Sequence, residues 1–569
     1  MQQEARDVVR DYTEAVFRRA RVPMEPLNFE VDWVDQPSRH TAYPGAPRVP
    51  LPTDLPELPT LRDLFTRGGP PQAADVVTGD DPPPAADWSL ARLAALLRLS
   101  YGVLDRRMTV NWNQDIAKRA HFDYAVWGRG TASGGGMYPV ELYLVAGASA
   151  PLLPGVYHYD TGRHVLQRLL LGDVSDTVRA ALATTEDADS FLLASIKFWK
   201  NSFKYNSFCY HVVTQDLGAL LGSWDLLASA YGVPLRRLLC FDPAPMDRLL
   251  GFDSDDQSVF AVVPVRWTAD PPPAASDPAA ASDPPAAGGP AGSGGGGAAP
   301  VPAAGDVQVR YTAHERSRRV RRFATVSEVH RAAAVPAVIA PETVPDAAPR
   351  ELPGAPVELP APLLDRLDRP LSTVLATRSS SFGRFRRPPE LTAAELGTAL
   401  AFAAAGRHHP ADAGLPADAP ALTRLWVFAN HVDGLAAGGY AYCPRRHALL
   451  PAGPEPDGGM SAFLQQQYFL TNYTMGQVGA VLAISGRLDA VLDAYGPRGY
   501  RILNAEIGAV AQRAYCAATA QRVGCGAVLG FDNVSMDTAL GLDGTDERTV
   551  LFLLLGRHPD ATADLAYRL

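Results

Sequence analysis

The sequence predicts an α+β protein in which one domain occurs twice along the chain. Residues 155–166 and 438–449 share glycine, tyrosine, arginine, histidine and leucine at an offset of 283, and residues 241–253 and 531–543 match at an offset of 290. Each copy also has the same order of predicted helices and strands. Because a period near half the chain is far longer than that of a solenoid repeat, the pattern indicates a duplicated domain.

The predicted elements follow one another in the same order in both copies. Each copy begins with a helix, and Thr392 and Glu395 have the spacing of a capping box at the start of the second one. A strand, a hairpin, a long helix with apolar residues on several faces and a final strand follow. In the first and second copy respectively, we predict helices at 88–103 and 391–406, strands at 140–146 and 423–429, hairpins at 155–169 and 438–450, long helices at 211–232 and 501–524, and final strands at 259–265 and 550–556.

A stretch rich in proline, alanine and glycine separates the copies. Residues 269–305 carry almost no apolar side chain larger than valine, so burial does not offset the entropy that ordering this stretch would cost. We therefore predict an N-terminal domain over 1–268 with a preface over 1–85, a linker over 269–305 and a C-terminal domain over 306–569.

Composition excludes several classes of function. The net charge of −9 argues against nucleic acid as the main partner, and the arginine run 316–322 is expected to be a solvated surface or a subunit contact. The five cysteines form no CxxC pair, so we expect no metal site and a reducing compartment. The N-terminus is amphipathic and charged, and no apolar run of membrane-spanning length occurs, so we expect a cytoplasmic protein.

Two motifs occur only in the first copy. The first motif is the run Ser133, Gly134, Gly135 and Gly136, which is followed by Tyr138. Its glycines would let the backbone approach a flat ring or a phosphate. The equivalent residues 416–422 read PADAPAL, so the fold itself does not require the glycines, and a functional role is favoured over an ordinary turn.

The second motif of the first copy is the pair Lys204 and Tyr205. Tyr205 has an equivalent in Tyr495, whereas Lys204 is replaced by Ala494. A lysine beside a tyrosine stabilises the phenolate, so we expect a lowered pKa for Tyr205.

The second copy has a complementary set. Arg378, Ser379 and Ser380 suit a phosphate monoester, and the first copy has no arginine at the equivalent place. In the loop 528–532, which includes Leu529, Gly530 stands where the first copy has Cys240 and would let the backbone N–H approach a ligand.

These motifs resemble the nitroreductase-like flavoenzymes, and most closely the branch that oxidises azolines in ribosomal peptide natural products. The resemblance is carried, in chain order, by Arg129–Ala146, Ser202–Tyr210, Thr377–Phe385, Tyr495–Gly508 and Gly524–Asn533. Enzymes of this fold are intertwined dimers with FMN at the subunit interface. The resemblance therefore implies that the two halves form an intramolecular pseudo-dimer with one composite FMN site and one degenerate site.

The resemblance also implies the roles of single residues. Arg378, Ser379 and Ser380, with Arg557 or Arg568, would hold the flavin phosphate, and Leu529 and Gly530 would face the ring. The N-terminal half would contribute the glycine loop, Arg129, Tyr138 and the Lys204–Tyr205 pair.

The function implied is FMN-dependent oxidation of peptide thiazolines or oxazolines to thiazoles or oxazoles. Tyr205, assisted by Lys204, is the expected base. The implied partners are an azoline-containing precursor peptide and a cyclodehydratase complex, with further oligomerisation left open. Two alternatives remain: a generic NAD(P)H-dependent nitro- or quinone reductase, and a non-catalytic scaffold for the cyclodehydratase.

Overall fold

The computed structural model describes residues 2–67, 87–111, 121–268, 307–335, 352, 354–386, 390–407, 410–413, 420–453, 455–558 and 564–568. The side chains of 109–124 and 559–569 and the predicted linker 269–305 lie outside the described residues. The description below is restricted to that part of the chain.

The N-terminal half is built on a six-stranded antiparallel sheet in the order β1-β6-β5-β4-β7-β8. The central strand β4 is buried along its whole length, as its near-continuous apolar sequence predicts. The strands of this half, including two that lie outside this sheet, are β1 Arg48–Pro50, β2 Asp105–Asn111, β3 His121–Gly128, β4 Val140–Ala146, β5 Gly155–Asp160, β6 Val165–Leu171, β7 Ser190–Lys197 and β8 Gln257–Val265.

The C-terminal half repeats this topology. Its seven-stranded antiparallel sheet has the order β16-β17-β15-β11-β13-β14-β9, so each strand of the first sheet has a counterpart at the same place and only β16 is added. The predicted strands 140–146 and 423–429 are confirmed with the same bounds. The strands of this half are β9 Val357–Glu358, β10 Leu391–Thr392, β11 Thr423–Ala429, β12 Val432–Asp433, β13 Gly438–Cys443, β14 Ala448–Gly453, β15 Ala480–Arg487, β16 Val523–Val528, β17 Glu547–Arg557 and β18 Asp564–Arg568.

Helices pack on both sheets, and the predicted capping box is present: Thr392 Oγ1 accepts from Glu395 N at 3.2 Å, and the Glu395 carboxylate accepts from Thr392 N at 3.0 Å. The mixture of helix and antiparallel sheet confirms the α+β class. The helices are α1 Gln2–Arg18, α2 Leu61–Arg67, α3 Leu90–Tyr101, α4 Ser175–Ala181, α5 Trp199–Tyr205, α6 Cys209–Tyr231, α7 Ala244–Leu250, α8 Ala324–Ala334, α9 Leu371–Thr377, α10 Ala393–Ala404, α11 Met460–Gln467, α12 Leu488–Tyr495, α13 Gly499–Gln521 and α14 Asn533–Ala539.

The two long helices α6 and α13 cross at the centre of the molecule. Gly218 and Gly508, which are equivalent at the offset of 290, lie at the crossing. A Cβ on Gly218 would lie 2.2 Å from Ala505 O, and one on Gly508 would lie 2.1 Å from Gln215 O. Glycine is therefore required on both helices for their backbones to approach this closely, and one apolar core runs through both halves.

Strand exchange also joins the halves. Strand β18, from the C-terminal end of the chain, pairs with β2 of the N-terminal half, and β3 completes this three-stranded sheet. Helix α1 of the preface contacts the C-terminal half in turn, since Arg10 pairs with Asp489 at 3.0 Å. Each half thus depends on segments of the other.

The predicted surface run 316–322 lies against the preface and the N-terminal half. The amides of Arg318 and Arg319 donate to the Asp35 carboxylate at 2.6 and 2.9 Å, and Arg322 pairs with Asp253 and Asp256. Among the described residues, no helix has the length and apolar character needed to cross a membrane.

Candidate active site between the two halves

A cavity of about 2020 Å³ opens between the halves. Ligand pockets usually measure about 300–1,000 Å³, so this cavity has room for more than one ligand. All of the predicted site residues with described side chains line it, apart from Arg557. The predicted residues on its wall are Arg129, Ser133, Gly134, Gly135, Gly136, Tyr138, Lys204, Tyr205, Arg378, Ser379, Ser380, Leu529 and Gly530.

The glycine loop forms a tight turn that brings the Lys204–Tyr205 pair against the backbone. Gly135 and Gly136 have φ of 63° and 67°, which a side chain would strain. A Cβ on Gly135 would lie 2.7 Å from Lys204 Nζ and 2.6 Å from Tyr205 OH, whereas one on Gly136 would meet no atom within 4 Å. Gly135 therefore leaves space for the two reactive groups, and Gly136 leaves open space in the cavity.

Asp216 on α6 holds this loop and was not predicted from the sequence. Its carboxylate accepts from Gly134 N at 2.7 Å and from Ser133 Oγ at 2.8 Å, and Ser133 Oγ accepts from Tyr138 N at 2.9 Å. Burial raises the pKa of Asp216 to about 7. The available signal was weak, because Asp216 is one of two acidic residues, with Asp225, in a helix expected to be buried.

The electrostatics of Tyr205 are the reverse of the sequence-based prediction. Burial raises the pKa of Tyr205, and the Asp216 carboxylate raises it further. Burial lowers the pKa of Lys204, whose Nζ lies 5.1 Å from the Tyr205 ring centroid. The expected lowering of the tyrosine pKa is thus wrong, because desolvation outweighs the neighbouring ammonium.

Arg129 is a buried cation without an ion-pair partner among the described residues. Its guanidinium carbon lies 4.6 Å from the Tyr101 ring centroid and 4.2 Å from that of Tyr138. Its Nε is buried and makes no hydrogen bond within the described part of the chain. Because such a charge is costly unless paired, this position suits an anionic ligand.

Arg378 reaches the cavity but is engaged by protein. Its Nε donates to Gly130 O at 2.8 Å and its Nη2 to Arg129 O at 3.0 Å. The side chain therefore joins the C-terminal half to the base of the glycine loop, which differs from the expected phosphate contact. Ser379 and Ser380 line the cavity beside it, and Ser381 Oγ is buried with no hydrogen-bond partner in the described structure.

Of the other two predicted phosphate ligands, only Arg557 has a described side chain. Arg557 lies off the cavity wall, because it pairs with Glu395 at 2.6 Å and donates to Glu390 O at 2.8 Å. Arg557 is thus engaged by the C-terminal half itself in this structure. The side chain of Arg568 lies outside the described residues.

The loop 528–532 is fixed by residues of both halves. A Cβ on Gly530 would lie 2.7 Å from the Tyr468 ring and 2.8 Å from Leu470 Cδ1, so glycine is required by packing as well. Arg19, which directly follows α1, donates to Leu529 O and, at 3.0 Å, to Asn533 Oδ1. The preface was not predicted to take part in the site.

The equivalent loop of the first copy is closed. Cys240 N, the counterpart of Gly530 N, donates to the Asp412 carboxylate at 2.5 Å. Arg498 donates to the flanking carbonyls, Leu239 O at 3.0 Å and Phe241 O at 2.5 Å. Asp412 and Arg498 of the C-terminal half thus form hydrogen bonds with the backbone groups at Cys240 that would otherwise be available to a ligand.

Comparisons with known proteins agree with this architecture. Residues 376–557 match the model of the nitroreductase family. A candidate nitroreductase from Anabaena variabilis aligns over 97% of this chain and 99% of its own, with a TM-score of 0.66 and 21% identity. None of the curated proteins compared matches the chain.

Two other solved structures align over smaller parts, at 15% identity and a TM-score of 0.25. A candidate nitroreductase from Ralstonia eutropha covers 39% of this chain and all of its own. The McbBCD microcin synthetase complex of E. coli with truncated pro-MccB17 covers 46% of this chain and 92% of the aligned one. Similarity this low supports no conclusion. The family match and the Anabaena structure, by contrast, establish a nitroreductase-type domain in the C-terminal half and a shared fold over the whole chain.

Proposed function

We propose that the protein is an FMN-dependent dehydrogenase that oxidises thiazolines or oxazolines in a ribosomally made peptide. The observation that carries the proposal is the position of Lys204 Nζ and Tyr205 OH. Both lie against Gly135, in a cavity that neither half forms alone. A generic reductase has no need of such a pair.

The residues of the cavity suit FMN, a flat ring system that carries a phosphate. Within the part of the chain that the structure describes, the buried Nε of Arg129 and the buried Oγ of Ser381 have no hydrogen-bond partner. We propose that Arg129 and the serines 379–381 bind the phosphate, and that the glycine loop and Gly530 leave room for the ring. When bound, FMN supplies the hydride acceptor that the oxidation requires.

The chain itself supplies the proton transfer. The α-hydrogen of an azoline is acidified by the neighbouring carbonyl and C=N groups, so a modest base removes it. Lys204 has a lowered pKa and suits the base, whereas Tyr205 has a raised pKa and stays a phenol that orients the ring by hydrogen bonding. The substrate must come from a cyclodehydratase, the class of enzyme that forms azolines.

Replacement of Lys204 tests this assignment. We expect Lys204→Ala to lower the turnover of a synthetic thiazoline peptide by about 100-fold, because general base catalysis is lost. Flavin content should stay at the wild-type level, since Lys204 is not assigned to cofactor binding. Lys197→Ala is the control, because Lys197 pairs with Glu315 outside the cavity. Unchanged thiazoline turnover in Lys204→Ala would refute the proposed role.

The family match of residues 376–557 favours one alternative, an NAD(P)H-dependent nitro- or quinone reductase. Stopped-flow reduction of the bound flavin by NAD(P)H distinguishes the two functions. Rapid reduction by NAD(P)H, unaffected by Lys204→Ala and without any thiazoline oxidation, would support the alternative.

A further inference from the structure

We propose that a ring of exposed apolar side chains at the cavity mouth binds an apolar residue next to the azoline of the substrate peptide. The inference rests on the function proposed above and adds a preference for the neighbouring residue. We call this ring the apolar rim. It consists of Leu27, Trp33, Phe382, Phe469 and Leu470.

The apolar rim is exposed although its members are large. Each side chain has between 43% and 54% of its surface accessible to solvent, and all five line the same cavity. Exposed apolar patches at a single opening are typical of binding sites. Two of the segments that carry the rim belong to the C-terminal half and one to the preface, so the opening is composite like the cavity below it.

Direct contacts connect the rim to the reactive groups. The Trp33 ring centroid lies 5.9 Å from Lys204 Nζ and 5.3 Å from the Phe203 ring, which it meets edge-on. Leu470 packs at Gly530, and Phe469 N donates to Gly530 O at 2.9 Å. A group held by the rim is therefore close to both walls of the candidate active site.

The connection that carries Phe469 and Leu470 is longer than its counterpart in the first copy. The offset between the copies rises from 283 at Leu449 to 290 at Ser485, so the C-terminal copy has seven additional residues between these points. The turn around Phe469 lies in this longer connection between β14 and β15. Leu182 and Tyr468 form equivalent bridges, to Phe241 and Phe531, at an offset of 286, so four of the seven additional residues lie between Tyr468 and Ser485. This lengthening next to Phe469 and Leu470 indicates a role in binding.

Phe382 gives a second, independent indication. It follows the serines 379–381 and has a φ of 49°, in the left-handed region that bulky residues rarely adopt. Its ring is nevertheless exposed, so burial does not offset the strain. Strained backbone of this kind occurs preferentially at ligand sites.

The occupant is identified by the geometry of a peptide. Consecutive residues of an extended chain are about 3.3–3.6 Å apart. An azoline held at Lys204 therefore places the adjacent residues of the same peptide at the apolar rim. The cavity volume of about 2020 Å³ leaves room for these residues beside a cofactor. The five side chains of the apolar rim are themselves uncharged, although Arg19 lies 5.8 Å from the Phe469 ring centroid and Lys204 lies 5.9 Å from that of Trp33. An apolar neighbour is therefore favoured over an amide or a positively charged one.

Two synthetic thiazoline peptides, with Phe or Asn directly after the ring, test the proposal on the full-length holoprotein. We expect the wild type to have a KM about tenfold lower for the Phe peptide, and Trp33→Ala and Leu470→Asn each to reduce this ratio towards one. Val34→Asn is the matched control, because Val34 is 87% exposed beside Trp33 and does not line the cavity. It should keep the wild-type ratio.

Fluorescence anisotropy with fluorescein-labelled forms of both peptides separates binding from chemistry. If neither peptide is oxidised, the proposed function is wrong. If the wild type nevertheless binds the Phe peptide more tightly and Trp33→Ala does not, the proposal for the apolar rim is still supported. An equal KM and equal affinity for both peptides in the wild type would overturn the rim proposal. A change from dimer to monomer in Trp33→Ala, with no effect on peptide preference, would instead make the rim a contact between copies of the chain.

Discussion

Asp216 shows, at the level of single residues, how the site depends on burial. Among the described residues, its carboxylate accepts hydrogen bonds from the amide of Gly134 and the hydroxyl of Ser133 and from no cation. Because these bonds do not offset desolvation, the pKa rises to about 7. The order of the glycine loop should therefore respond to pH near neutrality.

Asp216→Asn tests this dependence through stability. The folded-state pKa of about 7 lies above the ordinary value of 3.8, so the unfolding free energy should fall as pH rises from about 4 to about 7. Three pKa units correspond to about 4 kcal/mol. Asp216→Asn removes the carboxyl group that ionises, so the variant does not show this decrease. Its unfolding free energy relative to that of the wild type, measured by urea titration, should therefore increase from pH 5 to pH 8.

The comparison with wild type is needed because other groups titrate in the same range. Burial also raises the pKa of Asp247 to about 6 and that of Asp537 to about 7, and both remain in the variant. A difference in unfolding free energy that stays constant between pH 5 and pH 8 would contradict the raised pKa of Asp216.

The positions of residues on the cavity wall were predictable where they follow from a difference between the copies. The glycine loop and Lys204 were found because residues 416–422 and Ala494 lack them. The contacts of Arg378 and the pKa of Tyr205 were not predictable from the sequence. They depend on which carbonyl groups the fold brings to Arg378 and on the burial of Tyr205 beside the Asp216 carboxylate. Sequence neighbours do not contain that information.

Among the elements, the loop 528–532 illustrates how one half supports the other. Arg19 of the preface lies 4.5 Å from the Phe208 ring centroid and donates to Leu529 O and Asn533 Oδ1. Desolvation lowers its pKa to about 10, so it remains charged at neutral pH. It thus acts as a positioning residue for the backbone that carries Gly530.

Arg19→Ala should loosen this loop. The loss leaves the Leu529 carbonyl and the Asn533 side chain without this partner, which costs about 1–3 kcal/mol per unsatisfied buried group. We expect weaker flavin retention on dialysis and a lower unfolding temperature. Arg18→Ala is the control, since the neighbouring Arg18 is exposed and pairs with Glu14 on the same helix. Equal flavin retention in the two variants would exclude the positioning role.

Elements with a strong sequence period were predicted closely, and those made by long-range pairing were not. Strand β4 and strand β11 have the predicted bounds, and α6 begins two residues before its predicted start. The sheet of β2, β3 and β18 was missed because its strands come from opposite ends of the chain. No local pattern marks such a pairing.

At the scale of the whole molecule, the asymmetry between the copies is the central feature. The sheets share one topology and the long helices cross through equivalent glycines, yet only one of the two equivalent loops faces the large cavity. Asp412 and Arg498 occupy the other loop, at Cys240 and its neighbours. The duplication thus supplies a dimer-like scaffold, and divergence leaves one of the two equivalent loops at the cavity between the halves.

The ratio of flavin to protein tests this account most directly. Flavin released from the purified full-length protein by denaturation is quantified by absorbance and identified by mass, and protein is quantified by amino-acid analysis. We predict one FMN for each 60.8 kDa chain. Two flavins per chain would show that the loop at Cys240 is an open second site and would contradict the account.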